Sequence, residues 1–135
     1  MSYTQSIAQA LIDTLSRTAG LPTFQLAGHV PNLAFWIAEV RHAVGVIDGY
    51  AARFTEMAVA QAAYDAEHTD ENERRARHEY DYQPLKLAIT PDAAQRLKRQ
   101  CIASAERLID RCLKEGLIDG AKADELRSNI RFDES

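Results

Sequence analysis

GHVPNLAFWIAEVRHAVGVIDGY, residues 28 to 50, is the stretch on which the fold turns. Read alone, Asp48-Gly49 looks like a turn that would split it into two helices. At 100° per residue, however, Leu33, Trp36, Val40, Ile47, Ala51, Phe54 and Ala58 stay within roughly 60° of one another. A true turn has no reason to preserve that phase. The pattern therefore predicts one helix from about 29 to 68. Pro31 is tolerated in its first turn, where amide donors have no partner in any case. Gly45 and Gly49 are its weak points, each costing up to ~1 kcal/mol.

The same helix is apolar over an unusually wide arc. Phe35, His42, Val46, Glu39, Asn32, Tyr50 and Met57 form one shoulder of the stripe centred on Val40 and Ile47, whereas Arg41, Asp48 and Glu56 occupy the opposite, solvated side. A helix this broadly apolar contacts more than one neighbour. Trp36, Tyr50 and Phe54 read as core or interface aromatics. Polar groups interrupt the arc, and His29, Asn32, Glu39 and His42 form the candidate polar site. Glu39, Asn32 and His42 are expected to be partly desolvated, and such groups ask for partners.

Working outward, residues 3 to 19 carry Ile7, Ala8, Leu11, Ile12, Leu15 and Ala19 at helical spacing. Gly20 is expected to close that helix as a left-handed cap, with Leu21-Pro22 unable to continue it and a connection following to about Gly28. Residues 69 to 82, TDENERRARHEYDY, are densely charged with both signs and either extend the long helix or form a connection that Pro84 ends. Thr90-Pro91-Asp92 is a helix start, with Thr90 as N-cap and Pro91 at the first helical position. Ala94, Leu97, Cys101, Ala105, Leu108 and Cys112 then recur close to heptad spacing. Gly116 ends that helix with Leu117 making the hydrophobic contact of a Schellman cap. Asp119 caps a short last helix carrying Ala123, Leu126 and Ile130. LKLAIT at 85 to 90 is the only candidate strand and has nothing to pair with.

The fold class that follows is all-α, a helical bundle of about four helices with one long central helix. The 135 residues suit a single domain able to bury a core unaided. The formal charge of −4, with both signs mixed along the chain, argues against nucleic acid as a partner, which calls for a basic face or tail. Cys101 and Cys112 sit roughly 16 Å apart on one helix, beyond disulfide reach, and read as buried thiols of a reducing compartment. The N-terminus has neither a basic leader nor a continuous apolar segment, and no run approaches about 18 apolar residues. A cytoplasmic location is the expectation.

Glu39-Val-Arg-His42 is a Glu-x-x-His pair, placing carboxylate and imidazole on adjacent turns of one face. That spacing resembles the motif of ferritin-like di-iron carboxylate bundles, in which two such pairs and two further Glu face inward. The resemblance implies Glu39 and His42 as ligands of a divalent metal. A second pair, Asp65-Ala-Glu-His68, repeats the pattern 26 residues later, roughly 39 Å away on one continuous helix, too far for a shared dinuclear centre; a hairpin near Arg53 and Phe54 would bring the pairs level, yet those residues give no turn signal. His29, Glu39 and His42 could instead serve a single metal if His29 folds back from the preceding loop. The His-Trp-Glu grouping is similar to the metal-bearing helix of DinB-like bundles, although those need late histidines and none follows His78. The plainer expectation is that Glu39 and His42 pair by hydrogen bonding, with no cofactor.

Arg74-Arg-Ala-Arg-His78-Glu-Tyr80 resembles the Arg-x4–6-His motif, with a following x-Tyr, of HEPN ribonucleases. Arg74 is one residue too close to His78, and Glu73 stands where the shortest family spacing would put arginine. A mixed-charge solvated face explains the same letters. No phosphate loop, nucleophile elbow or paired metal-type cysteines occur. The functional expectation is a non-catalytic module that acts through self-association, as a homo-oligomer, or through a protein partner. Its motive is a long helix whose apolar arc exceeds what three shorter helices can cover.

Overall fold

A computed structural model describes residues 3–74 and 91–130. Every element in them is helical, and the described residues contain no strand. α1 spans Tyr3–Ala19, α2 Thr23–Ala27, α3 Leu33–Ala66, α4 Pro91–Lys114 and α5 Gly120–Ile130, with a 3₁₀ turn at Val30–Asn32 and a further helical segment at 70–74. LKLAIT, Pro84 and the Thr90 cap lie outside the described residues.

α3 runs unbroken for 34 residues, about 50 Å, straight through Gly45 and Gly49. Its start differs from expectation. His29 and Asn32 precede the α-helix, because the chain from Gly28 to Asn32 is stitched by three-residue bonds: Gly28 N–H to Gln25, His29 N–H to Leu26 and Asn32 N–H to His29. Pro31 lies within this tighter turn. The connection expected after Pro22 also coils, as α2, burying Leu26 completely.

The ends of the helices are set by local chemistry. α1 stops with Gly20 and Leu21 donating to Arg17 and Thr18 at 3.1 Å each, and Arg111 Nη1 donates to the Ala19 carbonyl at 2.6 Å. Gly20 is not left-handed, since among the described residues only Gly116 has positive φ, at 71°. The guanidinium satisfies the Ala19 carbonyl, one of those that a helix end leaves open. At Gly116 the Schellman pattern is complete: Gly116 N–H donates to Leu113 and Leu117 N–H to Cys112. Leu117 packs against the core as that motif requires. Asp119 Oδ1 accepts from Lys122 N–H at 2.8 Å, capping α5. Beyond α3, Thr69 Oγ1 accepts from Asn72 N–H, and the Asn72 amide donates to the Ala63 and Glu67 carbonyls, closing the open end of α3.

α4 lies against α1, α3 and α5. It buries Ala94, Leu97, Cys101, Ser104, Ala105, Leu108, Ile109 and Cys112, the near-heptad stripe with Ser104 and Ile109 added. One core joins this stripe to Ala8, Ile12 and Leu15 of α1, to Leu33, Ile37, Val40, Val44 and Ile47 of α3, and to Ala123, Leu126 and Ile130 of α5. Lys98 Nζ meets Asp48 Oδ1 at 2.7 Å, tying α4 to α3. Ile7, placed on the α1 stripe by its spacing, is instead exposed.

The phase of α3 carries a correction. Its core stripe is complete between Leu33 and Ile47, but Ala58 is exposed, and the buried residue beyond it is Ala60. Ala60 lies about 180° around the helix from Leu33 and stands apart from the main core. At Ala60 the buried side of α3 differs from that of the Leu33–Ile47 stripe.

Candidate functional site

The candidate polar residues fall on or just before the first half of α3, and the helix separates them by depth. His29 is half-buried and its ring lies tilted against Trp36, with centroids 5.6 Å apart. Its Nδ1 is enclosed, without a hydrogen-bond partner among the described residues. A neutral ring protonated on Nε2 leaves only a lone pair there, which is cheaper than an orphaned N–H. Trp36 is half-buried and packs on the core edge. The side chains of Tyr50 and Phe54 lie outside the described residues.

Asn32, Glu39 and His42 are all exposed, so the desolvation expected of them does not occur. The reason is geometric. Leu33, Ile37, Val40 and Val44 turn to the core, and Glu39 and His42 stand on the far flank of the helix. Asn32 directly precedes α3 yet makes no capping hydrogen bond, its backbone at φ −90° and ψ −7° being already helical rather than in the extended conformation that caps need. Among the described residues, no hydrogen bond or ion pair joins Glu39 to His42. Nor does any group of three or more His, Cys, Asp or Glu side chains there converge in a way that could hold a metal ion. Asp65 and His68 lie at the other end of α3. Asp65 accepts from Gln61 Nε2, and the His68 ring sits against Tyr64 at 4.7 Å. Arg74 is exposed, and His78 and Tyr80 lie outside the described residues.

A surface feature that residue-by-residue reading missed lies on this outer flank. Ala38, Arg41, His42, Gly45 and Val46 line a shallow, mainly apolar hollow on α3. One turn before it, Phe35 is 63% exposed. The only sequence signal was the broad apolar shoulder, which did not reveal that small residues at 38 and 45 would leave a depression beside a projecting ring.

The two thiols are the groups whose ionisation the fold shifts most clearly by burial. Cys101 is pushed up to about 11, and Cys112 is raised by burial against the opposing pull of Arg111. Both are free and inward-facing, which suits packing rather than nucleophilic chemistry. No helix among the described residues is long and apolar enough to cross a membrane. Compared with protein-family models, with curated proteins and with solved structures, the chain matches none.

Proposed function

We propose that this chain is a non-catalytic helical module, a bundle of about four principal helices that works through self-association or through binding a partner protein. The observation that carries the reading is the outer flank of α3, where exposed Phe35 stands next to the apolar hollow at Ala38, Gly45 and Val46. A large ring left in water forgoes roughly 2 kcal/mol of burial, a deficit that docking against another surface recovers. Further support comes from the buried thiols, whose raised pKa values suit packing rather than nucleophilic chemistry.

A photoreactive phenylalanine analogue replacing Phe35 tests this reading in the cell that makes the protein. Adducts to protein, whether to a second copy or to another chain, are expected at position 35 and absent from a control placed at exposed Glu125. Irradiation that yields no adduct at position 35 removes the reading.

A further inference from the structure

Resting on that reading, we infer that the occupant of the α3 flank is a second copy of this chain, docked antiparallel so that each Phe35 enters the other's hollow. The flank is self-complementary in shape. It carries a projecting ring at Phe35 and, centred two to three turns later, a depression floored by Ala38, Gly45 and Val46. A twofold axis passing near Val40 and Arg41 sets residue i opposite residue 81 − i. Phe35 of one copy then faces Val46 of the other, with Gly45 beside it, and the exchange is reciprocal, as an isologous interface requires.

The flank is self-complementary in its polar groups as well. The same operation sets exposed Glu39 opposite His42 of the second copy, twice per dimer, and among the described residues neither group is occupied by an ion pair or hydrogen bond of its own. The Glu-x-x-His spacing thus serves pairing between copies rather than within one helix. Parallel docking would set Phe35 against Phe35 and Glu39 against Glu39, leaving the hollows empty and like charges together. Room for close approach is present, since a Cβ built on Gly45 meets nothing within 4 Å. The contact is one helix wide and, over residues 35 to 46, about 17 Å long. That is less than the roughly 800 Å² per partner of a standard interface, so dissociation falls in the micromolar range or above.

Sedimentation equilibrium of the purified full chain, from roughly 1 μM to 1 mM, decides the matter. The wild type is expected to form dimers across that range. Phe35→Ala weakens them about a hundredfold, two anchors being lost at roughly tenfold each. Gly45→Arg fills both hollows and leaves a monomer; its side chain leaves the helix into open space, and unchanged far-UV circular dichroism shows that the fold is intact. Glu39→His alone weakens the dimer several-fold, and adding His42→Glu restores it, because antiparallel docking keeps the pair. A wild type that stays monomeric overturns the inference, and so does a dimer indifferent to Phe35→Ala and Gly45→Arg. Position-35 adducts to a different protein, with a monomeric purified chain, overturn the second copy while leaving the module reading in place.

Discussion

Alanine at Gly49 should stabilise the protein, and alanine at Gly116 should do the reverse. Gly49 lies inside α3 with no positive φ, and a Cβ built there meets nothing within 4 Å. The substitution therefore introduces no clash, and the helix gains the full propensity difference of about 1 kcal/mol. Gly116 also has open space for a Cβ, but its φ of 71° is one that a side chain resists. Alanine there costs about 1 kcal/mol with no steric contact to blame. For a chain of 135 residues the unfolding entropy is near 0.28 kcal/mol/K, so each change moves Tm by roughly 3–4 °C, in opposite directions. Urea titrations followed by far-UV circular dichroism, at a dilution where the chain is monomeric, give both values from one assay. A destabilised Gly49→Ala protein would refute the continuous helix, because only a turn at that position prefers glycine. A Gly116→Ala protein as stable as the wild type would refute the Schellman closure of α4.

Three further perturbations test the rest of the fold. Arg111→Met removes the donor to the Ala19 carbonyl and should cost about 1–2 kcal/mol in the same titration, whereas Glu115→Gln, at the exposed Nε side of the same guanidinium, should change stability by less than about 0.5 kcal/mol. Asp119→Ala deletes the N-cap of α5 and should cost about 1 kcal/mol, with hydrogen exchange quickening first at Lys122 and Ala123. Cys101 binds its proton more tightly folded than unfolded. Stability from this thiol is therefore fully present below pH 9 and falls as the pH climbs towards 11, and Cys101→Ala should flatten that part of the pH–stability curve.

Features encoded within a few residues were legible in the sequence. The Gly116–Leu117 closure, the Asp119 cap and the α4 stripe each follow from chemistry that neighbours in the chain complete. Gly20 shows the limit, since its helix end is served by Arg111, 92 positions away from Ala19, and no local pattern announces that bond. The compact path from Thr23 to Asn32 was likewise hidden, because short helical turns rest on packing of a residue such as Leu26 rather than on periodicity.

The candidate site was legible in place but not in depth. Periodicity locates a broad apolar arc, yet it does not say which part of the arc the neighbouring helices cover. They cover the Leu33–Ile47 stripe, which leaves Glu39, His42 and Phe35 outside. The change of buried side between Ile47 and Ala60 was hidden for the same reason, alanines at 58 and 60 being equally acceptable to a helical wheel.

The most direct measurement on the central claim is the distance between spin labels at exposed Ala34 and Ala62, which flank Gly49 on α3. Each is replaced by cysteine in a sample diluted with unlabelled chain, and the buried Cys101 and Cys112 stay unreacted in the folded protein. An unbroken helix sets the two backbones about 42 Å apart by pulsed dipolar spectroscopy. A separation under about 20 Å, as packed antiparallel helices would give, means that the chain reverses at Gly49 and that no long outer flank exists.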